Sequence, residues 1–237
     1  MNELKVLELY SGTQSISKEF RKRGHKTLCV ELNDIFLSEP YNMDQWTISV
    51  ADVTVKEVVK RLGGYPDIIW ASPLCTTHSI AAISKHRANK LGFGKTLKEK
   101  KRTNLLFPKS DKAKLHDELL LKTLHLIQDL KPKLYFIENP RGGMRKNALM
   151  QGLMYRYTIT YCSYGDNSMK PTDIWTNHLN PNFKEMCFNG NKDCHHQAAP
   201  RGSKTGTQGK KGNLERSIIP EELCKHIVDL CEGGIKC

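Results

Sequence analysis

Two hydrophobic periods alternate along the chain. Apolar runs at residues 5–10, 26–31, 67–71 and 133–137 read as strands, and the scarcity of polar positions inside them predicts a buried sheet. Helical spacing fills the gaps at residues 15–23, ended by Gly24, and 55–62, ended by Gly63-Gly64. The clearest helix carries Leu115, Leu119, Leu120, Leu124, Ile127 and Leu130 on one face, with Ser110 or Asp111 as its cap and Pro132 beyond its end. A short third strand is expected at 49–53, a short helix from 79 to about 84, and a further helix after Gly142-Gly143. Residues 156–162 and 173–176 read as neighbouring strands. The chain is polar from about 180 to 212, and Pro220 then opens a last helix packed through Leu223, Ile227 and Leu230 and closed by Gly233-Gly234. Strands alternating with helices predict an α/β fold, a mostly parallel sheet with helices on both faces.

The 237 residues suffice for one substantial domain with a small appendage. No run approaches the roughly 18 apolar residues that span a bilayer, and the first residues lead into a strand without a secretory pattern. A soluble, cytoplasmic monomer is expected. Eight cysteines are spread over strands, loops and the last helix, a distribution that suits buried, catalytic or metal-binding thiols better than a secreted disulfide framework. A net charge of +12 changes the picture more, because a basic surface of this size points to a polyanionic partner, nucleic acid first. A solvated basic face is the alternative.

Three stretches carry candidate chemistry. Strand, Ser11-Gly12-Thr13 turn, helix and a second strand ending on Glu31 form the unit that holds adenosine-containing cofactors, with helix amides facing the ligand and an acid about twenty residues on taking ribose hydroxyls. One glycine is a weak mark, and a βαβ unit without ligand fits as well. The run 67–71 ends at Ser72-Pro73 and delivers Cys75 into the turn beyond; an acid stands at a comparable strand end in Glu138-Asn139-Pro140. A packed, inert cysteine is the bland alternative. From Lys85 to Lys114 eleven Lys/Arg face two acids, a pattern that reads as a mobile basic lid over about 85–111 or as a solvated charge run.

In sequence and in order, Glu8-Leu9-Tyr10-Ser11-Gly12-Thr13, Glu31, Asp52, Ser72-Pro73-Leu74-Cys75, Glu138-Asn139-Pro140 and Tyr164-Gly165 resemble the motifs of the DNA (cytosine-C5) methyltransferases, over nearly the whole chain. The compact pattern is most similar to phage-type members, some of them parts of restriction-modification systems. The resemblance implies a Rossmann-like S-adenosylmethionine-dependent methyltransferase fold with a small irregular recognition segment. It implies Cys75 as the nucleophile that adds to C6 of cytosine and Glu138 as the group at N3. Chemistry independently favours these residue types, because C5 is too weak a nucleophile until a thiolate has added to the ring. The resemblance further implies cofactor contacts from Tyr10 (against adenine), Ser11, Gly12, Thr13, Gln14, Glu31 (to the ribose), Leu32, Asp52 with Val53 (at the adenine edge) and Pro73. Ser79, Arg141, Lys170 and Thr172 are implied at the substrate, a cytosine flipped out of DNA in a cell carrying the bacterial or phage enzyme, with the basic lid closing behind it.

The chain departs from the family pattern in places. Pro73-Leu74-Cys75 stands for Pro-Pro-Cys and Glu138-Asn139-Pro140 for Glu-Asn-Val, while Ser168-Met169-Lys170-Pro171-Thr172 replaces the usual Gln-x-Arg-x-Arg, losing arginine's planar fork. Arg216-Ser217 stands where Gly-Asn precedes the closing motif. Three regions result: a catalytic domain at 1–179, a short recognition or zinc-binding segment at 180–213, and a returning helix at 214–237. Within the segment, Cys187, Cys194, His195 and His196 can supply three or four ligands to a structural zinc, or form a loop of free side chains. Residues 201–211 suit phosphate contacts or a solvated loop. An RNA substrate, and a binding protein that retains the cofactor pocket without turnover, remain the competing functions.

Overall fold

The structure is a computed structural model and describes residues 3–33, 45–91, 102–153, 155–200, 207, 208, 210 and 212–234. Nine strands and six α-helices are described: β1 (Lys5–Leu9), α1 (Ser15–Lys22), β2 (Lys26–Glu31), β3 (Gln45–Thr47), α2 (Val55–Leu62), β4 (Ile68–Ala71), α3 (Ile83–His86), β5 (Arg87–Leu91), β6 (Arg102–Pro108), α4 (Asp111–Leu130), β7 (Leu134–Pro140), β8 (Tyr155–Thr160), β9 (Pro171–Thr176), α5 (Gly212–Ser217) and α6 (Glu221–Gly234). Seven strands form one sheet in the order β3-β2-β1-β4-β7-β9-β8. Pairing is parallel from β3 to β7, and β9 runs against both β7 and β8.

The sheet divides the core in two. On one face Val6, Ile68, Trp70 and Phe136 meet Ile16 and Phe20 of α1 and Leu223, Ile227 and Val228 of α6. On the other, Leu7, Leu9, Ile69 and Ile137 meet Val58 and Leu62 of α2 and Leu120, Leu126 and Leu130 of α4. Each face of a parallel strand is thereby covered, which is why the strand sequences lack a polar side. Caps fix the helix ends: Thr54 and Ser110 side chains accept from Glu57 and Ala113 N–H, and Gly63 closes α2 with φ +66°.

Several expected elements differ. The segment at 49–53 is not a strand: Ser49 caps a 3-10 turn at Val50–Asp52, and the third strand is Gln45–Thr47. The helix expected at 79–84 is a turn followed by Ile83–His86, and the one after Gly143 is a pair of 3-10 turns. On α4 the buried face is Ala113, His116, Leu120, Thr123, Leu126 and Leu130, whereas Leu115 is 52% exposed. That rotation follows from polar contacts, since Thr123 and His116 bond to Tyr10 and Thr77 beneath the helix. The expected lid begins and ends as an antiparallel β5–β6 ribbon, and residues 92–101 lie outside the described residues. Among the described residues from 177 to 200 there is no helix or strand, and most of 201–211 is likewise outside them.

Candidate active site

Strands β1, β4 and β7 end at one edge of the sheet, where open parallel sheets place their ligands. After β1 the backbone is left-handed at Tyr10, Gly12 and Gln14. A non-glycine residue in that region costs free energy and persists only where its surroundings hold it. Tyr10 is held by its hydroxyl, 3.1 Å from the Leu119 carbonyl and 3.0 Å from Thr123 Oγ1, with burial pushing its pKa up to about 12. Gln14 is fully buried, its amide engaged by Arg21 (2.9 Å) and Gln45 (3.3 Å). The Gln14 side chain is thus engaged within the protein, and its N–H closes the turn onto the Ser11 carbonyl.

Gly12 presents the open position. Its N–H donates to Glu31 Oε2 at 2.9 Å, and a Cβ added there would meet nothing within 4 Å. Glu31 Oε1 accepts from Asn33 N–H at 3.0 Å, so the carboxylate is oriented by two backbone donors. Leu32, 67% exposed, extends from the end of β2. Asp52 is exposed on its 3-10 turn, while Val53 is fully buried and can line a site only through its backbone. Thr13 and Ser15 share a hydroxyl contact at 2.8 Å.

The thiol loop leaves β4 with Ser72 N–H on the Leu9 carbonyl, and Ser72 Oγ accepts from the Trp70 indole at 2.9 Å. Asn139 Nδ2 then donates to the Pro73 carbonyl at 2.8 Å, a bond that ties the Glu138-Asn139-Pro140 stretch to the turn holding Cys75. Cys75 is half-buried. Burial and the Glu138 carboxylate raise its pKa, and the Lys170 ammonium opposes them. Glu138 is buried and accepts from the Tyr161 hydroxyl at 3.0 Å. Burial and Glu138 hold the Tyr161 phenol well above its ordinary value.

Lys170, at the turn before β9, is 4% exposed; its Nζ lies 4.2 Å over the Tyr161 ring and donates to the Arg216 carbonyl at 2.6 Å. Burial lowers its pKa against the pull of Glu138 and Cys75. Thr172 is buried, with Oγ1 donating to the Lys170 carbonyl. Cys75, Glu138 and Lys170 thus share one electrostatic neighbourhood, and Arg216 supplies a backbone acceptor to it. Arg141 is exposed and Ser79 Oγ accepts from Ala81 N–H, so both stand at the rim.

A buried polar anchor holds the loop from behind. Arg87, the first residue of β5, donates to the Thr77 carbonyl and hydroxyl at 3.1 Å and makes a two-pronged pair with Asp117 at 2.7 and 3.1 Å. Asn147 donates to Asp117 and lies 3.2 Å from His78 Nε2, while Gly143 N–H meets the His78 carbonyl. Burial, reinforced by Arg87, depresses His78 to about 4, and burial with Lys112 does the same to His116. Tyr161, Asn139 and this anchor were not foreseeable from spacing, because each joins segments far apart in the chain.

The expected metal ligands are regrouped. Cys187, Cys194 and His196 come together with Cys162, their donor atoms all within 4.8 Å of one another. His195 is outside the group, donating to the Asp166 carbonyl at 3.0 Å.

No protein-family model matches the chain. Over 96% of its length and the whole of the relative, it is 27% identical to the probable DNA (cytosine-5)-methyltransferase of Frog virus 3 (isolate Goorha). Over nearly its whole length the chain is thus similar to a protein described as a cytosine-C5 methyltransferase. In fold the chain is similar to the Entamoeba histolytica methyltransferase EhMeth, which superimposes with a TM-score of 0.52 at 15% identity, over 78% of this chain and 56% of its own. The S. pombe Dnmt2 methyltransferase gives 0.49 at 13% identity, over 78% and 51%. The chain spans about half the length of these two solved structures.

Proposed function

We propose that this protein is a cytosine-C5 methyltransferase that acts on DNA, with Cys75 as nucleophile and S-adenosylmethionine as methyl donor. What carries the reading is the convergence of a half-buried thiol, a buried carboxyl group and a buried ammonium at the strand ends beside the open Gly12 position. The base must leave the duplex to reach Cys75. The Cys75 sulfur bonds to C6, and the thiol proton lost is balanced by a proton gained at N3, with Glu138 as the group between them. Tyr161 donates to one Glu138 oxygen, leaving the other for the base edge. Lys170 favours the thiolate electrostatically.

The space beside Gly12, the Glu31 carboxylate oriented by two N–H groups and the exposed Leu32 fit an adenosine-containing cofactor. Ser11, Thr13 and the Asp52-Val53 turn would complete that side. Bound there, S-adenosylmethionine supplies the electrophilic methyl group that C5 accepts. Loss of the C5 proton and of the Cys75 sulfur then returns the aromatic ring and the thiol. The irregular segment at 177–200 and the basic β5–β6 ribbon are the surfaces proposed to meet DNA.

Labelled methyl donor offered with DNA and with RNA tests the reading. Label is expected in DNA cytosine, together with a denaturation-resistant complex on 5-fluorocytosine DNA that Cys75→Ala abolishes. Label in RNA alone would refute the substrate, and trapping that survives Cys75→Ala would refute the nucleophile.

A further inference from the structure

The second cluster of nucleophilic side chains lies outside the proposed reaction. Cys162 sits in the 3-10 turn Tyr161–Tyr164 that follows β8, while Cys187, Cys194 and His196 come from the irregular segment beyond β9. Cys187 is carried to this turn by its N–H, which donates to Thr160 Oγ1 at 2.9 Å. Asn189 and Ala199 close the segment with two bonds, Nδ2 to carbonyl at 3.0 Å and N–H to Oδ1 at 2.7 Å. The thiols and the imidazole are thereby turned inward from both ends of the loop.

We propose that Cys162, Cys187, Cys194 and His196 bind a structural zinc ion. Tetrahedral coordination with ordinary Zn–S and Zn–N lengths separates sulfurs by about 3.8 Å and a sulfur from a ring nitrogen by about 3.6 Å. His196 Nδ1 is already 3.8 Å from Cys187 Sγ, and no pair in the group exceeds 4.8 Å. Three thiols cannot all be satisfied by disulfide pairing. A soft donor set of three sulfurs and one imidazole selects zinc, and four protein ligands leave no open position for a substrate, which marks a structural site.

The surroundings support the same assignment. His196 is buried, so its imidazole stands beside the thiols and away from solvent. Asn191 Nδ2 donates to Cys187 Sγ at 3.4 Å, the kind of outer contact that orients a metal-bound thiolate. The segment has little apolar material of its own to bury: Met186 is 44% and Phe188 65% exposed. A chain that cannot build a core gains its order from the metal. The sequence pattern alone points to His195; the structure replaces it with Cys162, twenty-five residues before Cys187 and invisible to any local motif.

The full chain, purified under reducing conditions without chelator, is expected to carry stoichiometric zinc by elemental mass spectrometry. Cys162→Ser and His196→Ala should lose the metal, His195→Ala should keep it, and His196→Cys, which retains four ligands, should keep it too. Cobalt(II) in place of zinc should give the visible spectrum of a thiolate-rich tetrahedral site. To separate metal loss from misfolding, a mercurial titration of the wild-type chain should release the zinc as the cluster thiols react. Zinc absent after refolding with zinc, iron in its place, a disulfide among these cysteines, or retention by Cys162→Ser with loss by His195→Ala would each overturn the proposal. None of these readouts depends on methyl transfer, so the site stands or falls apart from the proposed reaction.

Discussion

Asp117→Ala should be among the most damaging changes away from the reacting groups. Arg87 is fully buried and Asp117 15% exposed, and their bond is two-pronged. Removing the carboxylate leaves a buried guanidinium with only Thr77 as acceptor, along with an Asn147 amide deprived of its 2.8 Å partner. Breaking such a pair from one side costs about 3–5 kcal/mol, because the remaining charge is desolvated without compensation. That is a large part of the about 5–15 kcal/mol typical of a folded domain. At about 2–4 °C per kcal/mol for a chain of this size, the melting temperature should fall by about 6–20 °C. The assay is urea unfolding of the single variant beside the Arg87→Met/Asp117→Leu double variant. Replacing both charges with apolar groups should regain most of the loss, as buried pairs exchanged for hydrocarbon usually do. A cost for Asp117→Ala below about 1 kcal/mol, the range of solvated pairs, would refute the reasoning. So would a double variant no better than the single.

Stability should also depend on pH in a way the buried groups dictate. His78 and His116 have folded pKa values of about 4 against an ordinary 6.5, so between those values the unfolded chain binds more protons and stability rises with pH. Glu8, pushed by burial to about 7 from 4.5, acts in the opposite sense over most of the same window. The net rise should be roughly 1.4 kcal/mol per pH unit, steepening to roughly 2.7 in Glu8→Gln, by urea unfolding at pH 5 and 6; equal slopes would remove Glu8 from the balance. Gly142→Ala would place a Cβ 2.7 Å from the His78 carbonyl, and its cost of about 1–3 kcal/mol should appear as a lowered urea midpoint. An unchanged midpoint would mean that the thiol loop yields freely. Lys170→Met removes the charge that favours the Cys75 thiolate, so trapping on 5-fluorocytosine DNA should move to higher pH; an unmoved profile would sever Lys170 from Cys75.

The parts legible in the sequence were those written in local period. Residues 5–31 announce strand, turn, helix and strand because burial of each element is regular along the chain, and Thr54 and Gly63 mark both ends of α2. Val50-Ala51-Asp52 misled, since a 3-10 turn burying Val50 alone has the same apolar-polar look as a strand end. The β5–β6 ribbon was hidden under lysines and arginines, whose charge masks a period of two. Leu115 looked as apolar as Leu120, yet the helix turns His116 and Thr123 inward because partners wait for them on other elements. Tyr161 against Glu138, Asn139 against Pro73 and Cys162 beside Cys187 share this cause: each is a contact between distant segments, fixed by sheet order and absent from any motif.

The reversal of β9 also sets how the site can change. Parallel strands bring only their C-terminal ends to the reactive edge, and Cys75 and Glu138 arrive that way. The one antiparallel strand brings its beginning, so Lys170 enters from the turn before it and Thr172 from its second position. On the proposed reading the two sides of the pocket are separable: residues 165–170 of the turn between β8 and β9 can be rewritten and the base contacts altered, while Tyr161, Cys162 and the strands that carry Gly12, Cys75 and Glu138 keep their places.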